Sequence, residues 1–149
     1  MEAVIFIGIQ ATGKSTFYKE RFFNTHMRIN GDMLKTQHRE KLLLQACLEA
    51  KQPFVIDKTN PTVADREKYM ELSKSYHFKV IGYYFQSVID KCMERNNSRP
   101  QNQVIPAAGI LNAYKKLQLP SFEEGFDQLY YVKIDDAGKF IVEEWKNEV

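Results

Sequence analysis

The chain has 149 residues, of which 44% are hydrophobic and 27% are charged, and this composition excludes a disordered or collagen-like protein. The 21 basic and 19 acidic side chains give a formal charge of +2, which excludes a protein that wraps nucleic acid mainly through its charge. All apolar runs fall short of the roughly 20 residues that span a membrane, so we expect one globular domain over residues 1–149 and no membrane partner.

Strand and helix signals alternate along the chain. Short apolar runs predict strands at residues 3–7, 27–30, 53–57, 78–85 and 129–134. The stretches between them predict helices at residues 14–23, 32–50, 62 onward, 87–97 and 106–119. This alternation predicts an α/β fold of three layers, with a mainly parallel sheet of four to five strands covered by helices on both faces.

Three helix starts are predicted from local patterns. Thr62-x-x-Asp65 and Ser87-x-x-Asp90 both resemble a capping box, in which two side chains bond the free backbone N–H groups of the first turn. Pro106 stands where proline is favoured, at the first position of the last helix.

The remaining segments are assigned from composition. Residues 98–105 are polar and contain Pro100, which predicts a loop, whereas residues 140–149 fit either a helix or a returning strand. Cys47 and Cys92 lack metal-type spacing, so we expect reduced, partly buried thiols. The N-terminus has neither a basic region nor a cleavage site, so we expect a cytoplasmic protein without a secretory signal.

A complete G-x-x-x-x-G-K-S pattern occupies residues 8–15, between a predicted strand and a predicted helix. Glycine allows a tight turn in which successive N–H groups converge on phosphate oxygens at a helix N-terminus. Lys14 would neutralise the β- and γ-phosphates, and the Ser15 hydroxyl would complete the shell of a Mg²⁺ ion that bridges them. The pattern therefore predicts binding of ATP, or another NTP, with Mg²⁺. The predicted nucleotide-binding residues are Gly8, Ala11, Thr12, Gly13, Lys14, Ser15 and Thr16.

Other interpretations of this pattern fit the sequence less well. One is an ordinary glycine-containing turn of an α/β protein. A guanine-nucleotide switch is disfavoured because an N-K-x-D base-reading motif is absent, and a motor ATPase is disfavoured because the chain is short. A small phosphotransferase is the class that remains.

Two aspartates follow predicted strands, at the edge where α/β sheets place their sites. A kinase with a hydroxyl acceptor needs a carboxylate that takes or orients the hydroxyl proton near the γ-phosphate. Asp32 fits that role, and it equally fits the cap of the following helix. Asp57 fits either a group near the metal or the polar end of a strand.

Arg95 and Arg99 flank three polar residues at the end of a predicted helix. At this spacing the two guanidinium groups can face the same way, close over a triphosphate and stabilise transition-state charge. The sequence therefore predicts a small lid over about residues 95–106. The alternative is a solvated helix end in which the helix dipole favours the two cations.

Together these segments resemble the kinase domain of the polynucleotide 5′-hydroxyl kinases of phages and animals, along nearly the whole chain. The matching segments are residues 8–16, INGD at 29–32, IDKTNP at 56–61 with Arg66, RNNSR at 95–99 with VIP at 104–106, and LPSFEEGF at 119–126. INGD resembles the family segment that ends in the catalytic aspartate, and RNNSR resembles the phage-type lid. The sequence departs from the family at Gly31, where a basic residue is usual.

The resemblance implies transfer of the γ-phosphate of an NTP to the 5′-hydroxyl end of DNA or RNA. The implied catalytic residues are Asp32 as general base, Lys14, Arg95 and Arg99. The implied acceptor-binding residues are Lys35, Asp57 and Thr59. Lys35 stands where the phage enzyme has an arginine for the 3′-phosphate of the acceptor, and we expect it one helical turn from Asp32 on the same face. No D-x-D-x-T/V phosphatase motif is present, so we expect 5′ phosphorylation without removal of 3′ phosphates.

Two other functions remain open. One is a kinase of a small hydroxylated metabolite or nucleoside. The other is a nucleotide-binding regulatory module in which the ATP state switches a partner surface. Asp32 discriminates between the classes, because a switch needs no acceptor base and both kinds of kinase need one.

Overall fold

The computed structural model describes residues 1–146, and its centre is a six-stranded sheet. The strands are β1 (Glu2–Ile7), β2 (Met27–Ile29), β3 (Phe54–Ile56), β4 (Lys79–Phe85), β5 (Gln128–Ile134) and β6 (Phe140–Glu144). Their order across the sheet is β2-β3-β1-β4-β5-β6, with β6 antiparallel to β5 and the other pairs parallel. The predicted mainly parallel sheet is confirmed, and the prediction of four to five strands is wrong by one strand.

Helices join the strands and cover both faces of the sheet. They are α1 (Lys14–Arg21), α2 (Gly31–Leu34), α3 (Gln37–Ala50), α4 (Val63–Ser75), α5 (Ile89–Asn97) and α6 (Ala107–Lys116), with 3₁₀ turns at Gln101–Gln103 and Phe122–Glu124. Within residues 1–146, no helix is long and apolar enough to cross a membrane.

Alternate side chains of β1 enter two separate hydrophobic cores, one on each face of the sheet. Ala3, Ile5 and Ile7 pack with residues of α3 and α4, whereas Val4 and Phe6 pack with residues of α1. A third, smaller cluster joins α5 and α6 to the loop that follows β1. The predicted three-layer arrangement is confirmed. The third cluster places the predicted lid beside the phosphate-binding loop at residues 8–15, called the P-loop below.

The predicted helix over residues 32–50 is two helices in the structure. The first ends at Leu34, Lys35 adopts a φ of 72°, and the Thr36 hydroxyl accepts a hydrogen bond from the Arg39 N–H at 3.1 Å. Thr36 thereby satisfies a free donor at the start of α3, which favours a new helix over continuation of the old one. The prediction of one helix is wrong because it overlooked this capping residue.

The other predicted helix starts have different outcomes. The capping box of Thr62 and Asp65 is confirmed, with its two hydrogen bonds at 3.1 and 3.3 Å. Pro106 is the N-cap of α6, whereas the sequence predicted it as the first residue within the helix.

The capping box predicted at Ser87 and Asp90 is wrong. The Ser87 hydroxyl instead accepts a hydrogen bond from the Ile9 N–H at 3.2 Å and donates one to the Phe85 backbone oxygen at 2.9 Å. Ser87 therefore ties the end of β4 to the P-loop, and α5 begins without a side-chain cap.

The last described segment is a returning strand, which resolves the choice between helix and strand. Phe140 and Val142 of β6 pack with the core beside α1, while Trp145 packs with the core on the opposite face. This alternation is what a strand requires. Residues 147–149 lie outside the described part of the chain.

Cys47 and Cys92 are free thiols that are fully buried rather than partly buried. Burial raises the pKa of both thiols. Neither is therefore activated as a thiolate nucleophile.

Arg66 is fully buried and joins α4 to segments on either side of it. Its guanidinium group forms a two-pronged ion pair with Glu124, at 2.8 and 3.1 Å, and donates to the backbone oxygens of Asn60 and Gln118. Asn60 in turn donates from Nδ2 to the Phe6 backbone oxygen at 2.8 Å. This network fixes the loop after β3, which carries part of the site.

Replacing Arg66 with Ala is expected to lower the free energy of unfolding by about 3–5 kcal/mol, because Glu124 would stay buried without a cation. The matched control, Lys74→Ala, removes an ion pair with Asp127 whose side chains are each 41% exposed, so it should cost less than about 1 kcal/mol. Denaturant unfolding of both variants measures the difference. Equal losses would contradict the structural role of Arg66.

Candidate active site

The carboxyl ends of β1, β2 and β3 surround a cavity of about 360 Å³. It is lined by residues 10–16 except Thr12, residues 30–32, residues 57–59, Arg99 and Ile105. Parallel strands direct the loops at their carboxyl ends to one edge of the sheet, so segments distant in sequence share the cavity. The P-loop, the two aspartates and part of the lid therefore lie together.

The loop between β1 and α1 requires glycine at two points. A Cβ at Gly8 would lie 3.0 Å from the Phe85 backbone oxygen, and Gly13 has a φ of 92°. Because α1 begins directly after Gly13, its free N–H groups are available to an anion in the cavity. The predicted nucleotide residues that line the cavity are Ala11, Gly13, Lys14, Ser15 and Thr16, and those that support the loop without lining it are Gly8 and Thr12.

Lys14 is a buried cation with no carboxylate partner among the described residues. Its ammonium group donates to the backbone oxygens of Gly8 and Ile9, at 2.9 and 2.6 Å, and to the Thr12 hydroxyl at 3.3 Å. Burial lowers the pKa of Lys14 to about 8, although the nearby Asp57 raises it. A buried charge that is solvated only by neutral oxygens favours an anionic ligand at this position.

Ser15, Asp57 and Arg28 form a three-way network beside Lys14. Ser15 Oγ donates to Asp57 Oδ2 at 3.0 Å. Arg28 donates from Nε to the same carboxylate oxygen and from Nη2 to Ser15 Oγ, both at 2.8 Å. Asp57 is only 2% exposed, and the Arg28 guanidinium compensates for the burial of its carboxylate. The network therefore fixes two oxygen atoms next to the P-loop.

Asp32 lines the cavity from the turn that follows β2, and its side chain makes no hydrogen bond or ion pair with residues 1–146. The helix cap is Asn30, whose Oδ1 accepts from the Met33 N–H at 2.9 Å. Asn30 also donates to the Asp57 backbone oxygen at 2.8 Å, which joins the ends of β2 and β3. The alternative in which Asp32 serves as the helix cap is therefore wrong.

The Asn96 side chain joins the two ends of the segment predicted as a lid. Its amide donates to the Ile105 backbone oxygen at 2.7 Å and accepts from the Ile105 N–H at 2.8 Å. Arg99 lines the cavity, and Arg95 Nη1 donates to the Ala11 backbone oxygen at 3.2 Å. Both predicted arginines thus approach the P-loop from one segment.

The three residues predicted to bind an acceptor occupy different places. Thr59 lines the cavity, and Asp57 is held in the network with Ser15. Lys35 is exposed and lies outside the cavity lining. The expectation that Lys35 follows Asp32 on one face of a helix is wrong, because the helix ends before it.

Two basic residues at the site were not predicted from the sequence. Arg28 lies within a three-residue strand, and Lys58 follows Asp57 at the end of another. A charged residue within or directly after a short strand can indicate a site residue, because functional side chains of α/β proteins lie at the carboxyl ends of the strands.

The residues of the cavity fit a nucleotide polyphosphate with Mg²⁺. Mg²⁺ prefers oxygen ligands, and Ser15 Oγ and Asp57 Oδ2 present two oxygens 3.0 Å apart. Lys14, Arg99 and the N-terminus of α1 supply the positive potential that a polyphosphate needs.

Comparison with known proteins agrees with this geometry. Residues 4–120 match a protein family described as an AAA domain. The chain belongs to this family. The matched range begins in β1 and ends after α6, so it includes the whole cavity of this AAA domain protein.

Sequence relatives connect this AAA domain protein to polynucleotide kinases. The bifunctional polynucleotide phosphatase/kinase of Schizosaccharomyces pombe is 29% identical over 132 residues, which cover 84% of this chain and 32% of that protein. The chain spans about a third of the length of the curated relatives it matches. The resemblance to polynucleotide kinases inferred from the sequence is thus confirmed.

Solved structures share the fold. A gluconokinase of Sinorhizobium meliloti has a TM-score of 0.62 and 16% identity, covering 89% of this chain and 82% of that one. Chaetomium thermophilum Kti12, in complex with ADP-AlF3, has a TM-score of 0.64 and 16% identity, covering 91% of this chain and 92% of that one. These likenesses show that the chain shares its fold with both proteins.

Proposed function

We propose that this domain transfers the γ-phosphate of ATP, or another NTP, to the 5′-hydroxyl end of DNA or RNA. The observation that carries the proposal is the position of Asp32, which lines the same cavity as Lys14, Ser15 and Arg99. A kinase needs a carboxylate to take or orient the acceptor proton, whereas a nucleotide switch does not. The similarity to a polynucleotide phosphatase/kinase supports a nucleic-acid acceptor.

On the nucleotide side, residues of the chain bind and orient the polyphosphate. Lys14 and the N–H groups at the start of α1 hold the β- and γ-phosphates. Ser15 and Asp57 would hold Mg²⁺, which would supply charge neutralisation and orientation of the phosphates. Asp57 thus acts beside the metal rather than at the acceptor. Arg95 and Arg99 stabilise the negative charge of the group in transfer.

On the acceptor side, Asp32 accepts the proton of the 5′-hydroxyl as its oxygen attacks the γ-phosphorus. The bond from that phosphorus to the bridging oxygen breaks, and the nucleoside diphosphate leaves. The near-neutral charge of the chain suits an enzyme that grips only the terminal nucleotides.

The test is transfer of labelled γ-phosphate from ATP, with Mg²⁺, to a panel of acceptors. The panel contains 5′-hydroxyl DNA and RNA oligonucleotides, the same oligonucleotides with a 5′-phosphate, free nucleosides and a sugar acid. We expect label only on the 5′-hydroxyl oligonucleotides. Equal or better labelling of the small acceptors would favour a metabolite kinase, and release of inorganic phosphate alone would favour a regulatory ATPase module.

Binding of ATP is expected to weaken as the pH rises above about 8. Lys14 must be charged to hold phosphate, and burial lowers its pKa to about 8. Since binding favours the protonated form, the affinity should fall by up to about tenfold per pH unit above this pKa. Calorimetric titration at increasing pH measures the effect. The Lys14→Arg control stays charged throughout and should give a flat profile. A flat profile in the unmodified protein would contradict this role of Lys14.

Lys58 is better placed than Lys35 to hold a phosphate of the acceptor. Its Cε lies 4.0 Å from where a Cβ on Gly31 would be, so it flanks the turn that carries the proposed base. Its ammonium group donates to Glu40 Oε1 at 2.9 Å and to the Tyr69 hydroxyl at 3.0 Å. An ammonium group has three N–H donors, which leaves one for a ligand.

Lys58→Gln is expected to reduce kcat/KM for a 5′-hydroxyl oligonucleotide by about tenfold or more, because a charge-assisted hydrogen bond to phosphate is lost. The affinity for ATP should not change. Lys35→Gln is the comparison variant, and steady-state kinetics with the oligonucleotide and calorimetry of ATP binding measure the two effects. A larger loss in Lys35→Gln than in Lys58→Gln would assign the acceptor phosphate to Lys35.

A further inference from the structure

Arg28 contacts the two oxygen atoms that are best placed to hold Mg²⁺. Its Nε lies 2.8 Å from Asp57 Oδ2, and its Nη2 lies 2.8 Å from Ser15 Oγ. The same two oxygens are joined by a hydrogen bond of 3.0 Å. A positively charged group of the chain therefore bridges both of the proposed metal ligands.

The Ser15 hydroxyl both donates and accepts a hydrogen bond in this network. A serine hydroxyl has one proton and two lone pairs. Its proton points to Asp57 Oδ2, and one lone pair accepts from Arg28 Nη2. A metal ion that binds Ser15 Oγ would therefore meet the guanidinium group on the same oxygen.

Two positive charges in contact with one oxygen repel each other. Asp57 is 2% exposed and the Arg28 side chain is 25% exposed, so solvent screens the pair only in part. Full contact of both cations with Ser15 Oγ is thus unfavourable, and one of them has to withdraw.

The surroundings allow Arg28 to withdraw from Ser15 without losing its partner. Asp57 Oδ1 takes no hydrogen bond from the described residues, so the guanidinium can keep its ion pair with this carboxylate while Nη2 leaves the hydroxyl. The Arg28 guanidinium carbon also lies 6.0 Å from the centre of the Tyr18 ring, a cation–π distance that keeps the side chain beside the site.

We propose that Arg28 and a divalent cation compete for Ser15 Oγ and Asp57 Oδ2, so that metal binding displaces Arg28 Nη2 from Ser15. Arg28 then makes metal binding depend on the nucleotide, because the polyphosphate adds the negative charge that outweighs the guanidinium. The competition concerns the metal and the nucleotide only. A test of this competition therefore does not depend on which acceptor the kinase uses.

The first test is binding of Mn²⁺, a paramagnetic probe for the Mg²⁺ site, measured by electron paramagnetic resonance with and without ADP. Arg28→Gln is expected to bind Mn²⁺ about tenfold tighter or more, since a like charge has been removed from the site. The gain should be greatest without ADP. Unchanged or weaker binding in Arg28→Gln would overturn the proposal and leave Arg28 as a residue that only positions Ser15 and Asp57.

The second test uses the unmodified protein and is independent of whether the variant folds. With ¹⁵N-labelled arginine, the side-chain resonances of Arg28 should shift when Mg²⁺ and ADP bind together, and shift less with ADP alone. Arg66 is the internal control, because its guanidinium group is fully buried and paired with Glu124. Arg28 resonances that do not respond to Mg²⁺ would overturn the proposal even if Arg28→Gln failed to fold.

Discussion

Lys14→Ala is expected to reduce transfer of the γ-phosphate by roughly 10²- to 10³-fold or more, the range found when a preorganised electrostatic group is removed from an active site. The ammonium group of Lys14 is the buried cation of the P-loop and donates only to neutral oxygens, at 2.6 to 3.3 Å. Its removal leaves the transferred phosphate without that charge. Transfer of labelled phosphate at saturating ATP measures the loss.

The control for this variant is Lys19→Ala, which removes an exposed lysine from the same helix. It should retain full transfer. Circular dichroism and thermal unfolding of both variants establish that the fold is intact. Full turnover of a folded Lys14→Ala protein would show that the nucleotide site is assigned to the wrong loop.

Asp32→Asn is expected to reduce transfer by roughly 10²- to 10⁴-fold, as for the loss of a general base. The amide keeps the size of the side chain and removes its ability to accept the hydroxyl proton. ATP affinity should not change, because in the proposed function Lys14, Ser15 and the start of α1 hold the nucleotide. The helix should also survive, since its cap is Asn30. Kinetics of transfer and calorimetry of ATP binding separate the two effects.

Asp90→Asn is the matched control, since Asp90 is likewise an exposed carboxylate in the first turn of a helix. It should leave transfer unchanged. If Asp32→Asn kept normal activity, the proposed mechanism would lose its base. Loss of ATP affinity together with activity would instead place Asp32 on the nucleotide side of the cavity.

The parts of the site that could be predicted from the sequence lie within short continuous segments of the chain. The P-loop pattern fixes its own turn and helix start, so Lys14 and Ser15 were found from spacing alone. The two lid arginines lie within one five-residue segment, and both approach the P-loop although α5 ends at Asn97, before Arg99.

The parts that could not be predicted depend on which strands are neighbours. Arg28 meets Asp57 because β2 pairs with β3 at the sheet edge, with Arg28 opposite Val55. Nothing local to Arg28 encodes that pairing. The same holds for Lys58, which reaches the Gly31 turn from a different strand.

The errors in the fold arose where two local preferences compete. Residues 32–50 have helical spacing throughout, yet the Thr36 hydroxyl satisfies a backbone N–H at 3.1 Å and starts a second helix. The same competition misassigned Ser87, whose hydroxyl bonds the P-loop instead of capping α5. Because α2 ends at Leu34, Lys35 lies outside the lining of the cavity.

The most direct test of the proposed function is a competition in one reaction. A 5′-hydroxyl oligonucleotide, a free nucleoside and a sugar acid at equal concentration compete for labelled phosphate from ATP, and the partition of label gives the ratio of their kcat/KM values. We predict that the label enters the oligonucleotide and that nuclease digestion releases it as a labelled 5′-mononucleotide. Label in the nucleoside or the sugar acid, or label released only as inorganic phosphate, would contradict the proposal that this chain is a polynucleotide 5′-hydroxyl kinase.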